Sequence, residues 1–185
     1  SGAIPQLSVI MGPCAGGAVY SPAITDFVLM VEKSAHMFIT GPAVLKTVTS
    51  EKVSMEELGG SETHSKISGG ASLTCHDDID ALITTRRLFD FLPLSNKDKP
   101  PRRYTNDPRD RKAGVLDYVV PEKANISYRM QGVITPVVDD CDFFEIHPNF
   151  AKNIVVGFGR LDGRSVGIVG NQPAYIAGCL DIHAA

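Results

Sequence analysis

Leu7-Ser8-Val9-Ile10-Met11-Gly12-Pro13-Cys14-Ala15-Gly16-Gly17-Ala18-Val19-Tyr20-Ser21-Pro22-Ala23 is the stretch whose reading decides the fold. Leu7 to Met11 form a short, mostly apolar run with β-branched Val9 and Ile10, closed by Gly12-Pro13, and read as a buried strand. Two glycines flanked by the small residues Ala15 and Ala18 follow. Glycine serves where a backbone turns sharply or lets another group come close. A short helix starting near Gly17 leaves its opening N–H groups without intrahelical partners. Main-chain donors fixed in place, with no side chain over them, are the components of an oxyanion hole. Pro22 removes one helical hydrogen bond, so the helix is short or begins late. The Gly12-to-Gly17 spacing imitates a phosphate loop, but Ala18-Val19 stand where Lys-Ser/Thr would be required.

Outward from this stretch, Asp26 to Val31 reads as a second buried strand and Ala35 to Thr40 as a third, ended by Gly41-Pro42. Strands joined by a short helical crossover imply a parallel β–α–β arrangement. Pro42 at a first helical position starts a helix to about Thr49, with Val44, Leu45 and Val48 on one face. Ser54 and Glu57 fit a capping box, followed by a single turn that Gly59-Gly60 stops. Glu62 to Ser72 is polar and glycine-bearing, and reads as a loop with a short strand. His64, in that stretch, reads as an ordinary surface or core histidine. Asp77-Asp78 opens the clearest helix, with Ile79, Leu82, Ile83 and Phe89 on one stripe. Its acids and Arg86-Arg87 sit at the ends that the helix dipole favours. Leu92-Pro93 ends it.

From Ser95 to about Arg111 the chain turns to Lys, Asp, Pro and Arg, the composition of a solvated linker. Its basic run, Lys99 to Arg103, reads as part of that solvated face, with an anion patch as the other reading. Beyond it, Val115 to Val120 reads as a short strand or turn. Ile126 to Val138 reads as a helix interrupted at Pro136, and Asp142 to Ile146 as a strand. Asn153 to Leu161 and Ser165 to Gly170 flank Asp162-Gly163-Arg164, a hairpin whose Gly meets a need for positive φ.

The 185 residues suit one ordinary domain or two incomplete ones. A net charge of −3 gives no electrostatic case for nucleic acid or an anionic membrane. No apolar run approaches the roughly 20 residues of a spanning helix. Cys14, Cys75, Cys141 and Cys179 lie far apart without a C-x-x-C pair and read as free thiols of a reducing compartment. Cys14 has no His close in sequence to activate it as a nucleophile.

Gly12 to Ala23 with Thr25-Asp26-Phe27 resembles the β (carboxyltransferase) subunits of the biotin-dependent acyl-CoA carboxylases, most of all those acting on propionyl-CoA. Met37-Phe38-Ile39-Thr40-Gly41-Pro42, Glu56-Glu57-Leu58-Gly59-Gly60 and Phe89-Asp90-Phe91-Leu92-Pro93 continue the match in order. So do Ala151 to Phe158, Gly163 to Pro173 and Gly178-Cys179-Leu180-Asp181-Ile182. The resemblance implies an α/β crotonase-like fold in parts of two tandem repeats. Residues 1–95 would be the later part of an acyl-CoA half, 96–111 a linker, and 112–185 the opening of a carboxybiotin half. Members of this family are much longer, so an internal piece is implied.

The implied reaction moves CO2 from carboxybiotin to the α-carbon of a short acyl-CoA, propionyl-CoA giving methylmalonyl-CoA. Matching motifs give the thioester oxyanion hole to Gly16 and Gly17, with Ala18 as the neighbouring candidate. Gly170, Asn171 and Gln172 are carried over as acyl-CoA-binding residues, and no metal site is implied. The glycine pair serving biotin would lie beyond Ala185. Biotin would be carried by an α subunit that holds biotin carboxylase and uses ATP and Mg. A homohexamer is implied, in the mitochondrial matrix of a eukaryote or the cytoplasm of a bacterium. Two other readings stand beside this one: a non-catalytic truncated or assembly module, and a crotonase-type hydratase or isomerase, for which no positioned carboxylate is assigned.

Overall fold

The computed structural model describes residues 2–123 and 125–185. The chain divides into two compact units, the first holding residues 1–90 and 94–97 and the second 91–93 and 98–185. Residues 98–111, expected within a solvated linker, are therefore part of the second unit.

In the first unit, β1 (Leu7–Ile10), β3 (Phe27–Val31) and β5 (Leu73–Cys75) form a parallel sheet in the order β1-β3-β5. Leu7 pairs with Phe27 and Ile10 with Met30, and β3 continues against β5 from Leu29↔Leu73 to Val31↔Cys75. The central strand of a parallel sheet is covered on both faces and reads as a continuous apolar run. Accordingly Val28, Leu29, Met30 and Val31 are all buried. The β–α–β expectation holds here.

A second parallel pair was not foreseen. Gly12-Pro13 does not end the extended chain: β2 (Pro13–Ala15) follows and pairs with β4 (His36–Phe38), Cys14 opposite Met37 and Ala15 opposite Phe38. The third expected strand thus lies in a separate two-stranded sheet. After β4 come α2 (Pro42–Thr49), with Pro42 in its first turn, and α3 (Met55–Gly59). The capping box forms as expected: Glu57 N–H donates to Ser54 Oγ at 3.2 Å, and Ser54 N–H to Glu57 Oε2 at 2.9 Å. The polar stretch read as a loop is instead α4 (Ser61–Lys66), with β5 following it.

Helix α5 (Asp78–Phe89) is capped by Asp77, whose carboxylate accepts from Asp80 N–H at 2.8 Å. Ala81 and Leu88 are its fully buried residues. The stripe expected to face a core points outward within this chain, with Ile79, Leu82 and Ile83 each more than half exposed. The helix packs on β3 and β5, and Ala81 is fully buried.

The second unit is built on an antiparallel sheet of β6 (Phe144–Ile146), β7 (Ile154–Leu161) and β8 (Arg164–Asn171). Asp162 and Gly163 form a two-residue turn with φ of 52° and 74°, both in the left-handed region that type I′ hairpins demand. The segment read as a strand or turn at Val115 to Val120 contains a single helical turn, α6 (Leu116–Val119). α7 (Gln131–Val137) occupies only the later part of the expected interrupted helix, and Pro136 stands in its last turn. Ile134, Val138 and Val155 form a core with Met130, Phe143 and Ile168 against it. Phe91 stacks on Phe144 and Phe158 at 5.9 and 5.8 Å, under the Arg160 guanidinium at 4.0 Å.

Residues 98–111 are pinned to the hairpin. Arg103 N–H donates to Gly163 O at 2.9 Å. Arg102 and Arg109 both reach the Asp162 carboxylate, at 2.9 and 2.7 Å. Arg111 donates to Pro136 O at 2.7 Å and Val138 O at 3.2 Å, satisfying carbonyls at the end of α7. The basic run is thus tied down in part by a carboxylate.

Candidate functional site

The candidate site of the first unit is the turn that follows β2. Ala15 is extended at φ −128° and is the N-cap of a 3-10 turn, Gly16–Val19, which runs directly into α1 (Tyr20–Ala23). The helix is short, as Pro22 requires. Gly16 has φ +65°, a conformation a side chain resists, so glycine is needed here for the bend itself. Gly17 has no such need: nothing lies within 4 Å of the position its Cβ would take. Its bareness leaves the approach to its N–H open. Ala15 has no side-chain oxygen to cap the turn, and among the described residues no other element accepts from the Gly17 amide. Gly17 and Ala18 are exposed, while Val19 is buried and anchors the turn. The arrangement can therefore present main-chain donors to an oxygen, without a charged side chain.

The sheet strand before the turn is held from its partner's far side. His64 Nε2 lies 2.6 Å from Met37 O and His64 Nδ1 2.8 Å from Ser68 Oγ. His36 bridges Ser34 O at 3.1 Å and the Glu56 carboxylate at 3.3 Å. His64 is thus a bonded structural histidine. Its contact with Met37 was not readable in sequence; the only trace was Gly59, where bare backbone lets α3 close on β4. Cys14, half-buried on β2, is a free thiol. Burial pushes the Cys75 thiol up to about 11, which keeps it protonated and inert.

Gly170, Asn171 and Gln172 stand at the end of β8 in the second unit. A Cβ on Gly170 would come within 2.9 Å of Met130 Cγ, so glycine lets α7 pack closely. Asn171 Nδ2 donates to Gly178 O at 2.7 Å. Gln172 is 2 % exposed; its Oε1 accepts from Met130 N–H at 2.9 Å and its Nε2 donates to Gln131 Oε1 at 2.7 Å. All three shape the segment after the hairpin, and the Gln172 amide is engaged at both ends. Among the described residues no group of three or more His, Cys, Asp or Glu could hold a metal, and no helix is long and apolar enough to cross a membrane.

The carboxyl transferase domain family matches residues 1–185. The chain is 56 % identical over 185 residues to the mitochondrial propionyl-CoA carboxylase beta chain of Sus scrofa, covering all of this chain and 34 % of that protein. It is 55 % identical to the propionyl-CoA carboxylase beta chain of Roseobacter denitrificans, again over the whole chain and 36 % of that protein. The crystal structure of transcarboxylase 12S, a hexamer with methylmalonyl-coenzyme A and methylmalonic acid bound, superimposes with a TM-score of 0.94 at 46 % identity. It is matched over all of this chain and 35 % of the transcarboxylase chain. The chain therefore spans about a third of the length of these relatives. The parallel sheet with its flanking helices is that of the crotonase-like fold of such carboxyltransferases. By sequence across its whole length and by fold, the chain belongs to the carboxyl transferase domain family.

Proposed function

We propose that this chain contributes the acyl-CoA oxyanion site of a biotin-dependent acyl-CoA carboxylase that converts propionyl-CoA to methylmalonyl-CoA. The observation that carries the proposal is the glycine turn after β2, bent by a positive φ at Gly16 and left open over Gly17. When the α-proton leaves the acyl group, the thioester oxygen gains the charge of an enolate. The amides of Gly17 and, next in line, Ala18 donate to that oxygen; Gly16 supplies the bend, its own N–H being aimed by the β2–β4 ladder at the Phe38 carbonyl. They are neutral and fixed by the fold, so they favour the charged state without needing to reorganise as it forms. One such donor is worth about 2.7–4 kcal/mol in comparable oxyanion holes. The names and bound ligands of the relatives support the substrate class.

In this reading Gly170, Asn171 and Gln172 form the acyl-CoA segment of the second unit, with Gln172 holding that segment on α7. Biotin, carried on an α subunit that uses ATP and Mg, supplies the CO2, and no residue of this chain is assigned to it. The complete enzyme is a homohexamer, located in the mitochondrial matrix of a eukaryote or the cytoplasm of a bacterium.

The test is Gly17→Val in the complete carboxyltransferase. Nothing lies within 4 Å of the position a Cβ on Gly17 would take, and its φ is not left-handed, so the substitution starts into open space. Turnover of propionyl-CoA should be lost while the assembly keeps its size. A Gly17→Val enzyme that turns over normally would remove the proposed hole.

A further inference from the structure

We propose that His64 is the positioning residue of the Gly16–Gly17 turn, acting through the peptide group that joins Met37 to Phe38. The inference rests on the reading that the turn receives the enolate oxygen. β2 and β4 are three residues each and form a sheet of two strands. A two-stranded pair this short is marginal by itself, so its register needs a hold from outside. His64 supplies it. The Met37 carbonyl can only accept, so Nε2 of His64 carries the proton and donates to it at 2.6 Å. Ser68 Oγ stands 2.8 Å from Nδ1 and accepts Gly70 N–H at 3.1 Å, which fixes the ring from its other side. Gly59 is bare against the same Met37 carbonyl, leaving room for this approach.

The opposite end of that peptide faces β2. The register sets Pro13 opposite His36, and His36 N–H donates to Gly12 O at 3.3 Å. Alternation along a parallel ladder then aims the Phe38 N–H at the Cys14 carbonyl, two residues before Gly16. The peptide group is planar and stiff. Hydrogen bonds in series through it reinforce one another. Loss of the His64 bond therefore loosens Cys14, and with it the turn whose donors must meet a moving charge.

The experiment uses the complete carboxyltransferase with His64→Leu, His64→Gln and Ser68→Ala. His64→Leu should lower kcat about 10- to 100-fold, the loss that follows from misplacing a reacting group by about 1 Å. KM for the acyl-CoA should stay as it was, because the bond matters where charge develops. Hydrogen exchange over residues 13–19 should quicken in the same variant. His64→Gln, whose amide N–H replaces Nε2–H, should recover most of kcat. Wild-type kcat in His64→Leu with unchanged exchange overturns the inference, as does equal damage in the Leu and Gln variants. Faster exchange with wild-type kcat would show that His64 holds a turn that does no catalysis, which sinks the oxyanion reading and this role together. If His64→Leu does not fold, Ser68→Ala decides: Ser68 is exposed, and its loss should lower kcat with KM unchanged. Wild-type kcat in that variant overturns the inference.

Discussion

Replacing Gly163 by Ala tests whether the second unit depends on its hairpin turn. Gly163 has φ +74°, and a left-handed conformation costs a non-glycine residue about 1–2 kcal/mol. The new Cβ would also run into the carbonyl oxygen of Arg103. Residues near Arg103 must then move off the hairpin, breaking the 2.9 Å bond from Arg103 N–H to Gly163 O. A hydrogen bond of this kind contributes roughly 0.5–1.5 kcal/mol. The ion pairs from Arg102 and Arg109 to Asp162 add little, since they are largely exposed. The sum is about 1.5–3.5 kcal/mol. For a unit of this size each kcal/mol moves Tm by about 4–8 °C, so Gly163→Ala should lower the melting temperature of the second unit by roughly 6 °C or more. Gly167→Ala on β8 is the control, because nothing lies within 4 Å of its Cβ position and its φ is not left-handed. Calorimetry on both variants reads the difference. Equal melting temperatures for Gly163→Ala and Gly167→Ala would show that the second unit does not depend on this turn.

Gly16→Ala should destabilise the first unit by about 1–2 kcal/mol through its left-handed φ, whereas Gly17→Ala should change urea-unfolding midpoints little. Gln172→Leu leaves the Met130 N–H without its acceptor and should cost about 1–3 kcal/mol, read in the same denaturation assay. Ser54→Ala should cost about 1 kcal/mol by breaking the capping box of α3. The Arg109 hydrogen bond, with the charges of Arg109 and Arg102, holds the Asp162 carboxyl below its ordinary value of 3.8. A carboxyl depressed in the folded state stabilises fully above its unfolded value and loses that contribution as pH falls through the folded one. The difference in unfolding midpoint between wild type and Asp162→Asn should therefore be constant from neutrality down to the ordinary carboxylate range, and shrink below it. A difference that vanished near neutrality would contradict the pairing.

Where a structural device is built from neighbouring residues, the sequence disclosed it. Ser54 and Glu57 meet three residues apart, Asp77 caps its own helix, and Asp162-Gly163 closes the hairpin from within. The devices it concealed depend on distant partners. β2 and β4 are too short to show a period and exist because Cys14 meets Met37. α4 is polar throughout most of its length and reads as loop; its helix is secured by His64 reaching Met37. The stripe on α5 revealed a helix but not which side is covered: Ala81 is fully buried and Ile79 exposed on a helix that packs on β3 and β5. Residues 98–111 are polar enough to suggest free solvation, yet Asp162 collects two of their arginines. At the candidate site the turn was legible, because glycine is the residue that adopts φ +65° without steric cost. The grip of Gln172 on α7 was not, since its partners lie 41 and 42 residues away.

The oxyanion site turns on one proton of one backbone nitrogen, that of Gly17. An ester in place of the peptide bond before Gly17, introduced by placing glycolic acid at that position, removes this N–H and adds no side chain. In the complete carboxyltransferase this change should lower kcat about 100- to 1,000-fold, equivalent to about 2.7–4 kcal/mol, with folding and assembly unchanged. An ester enzyme that carboxylates propionyl-CoA at the rate of the amide enzyme would contradict it.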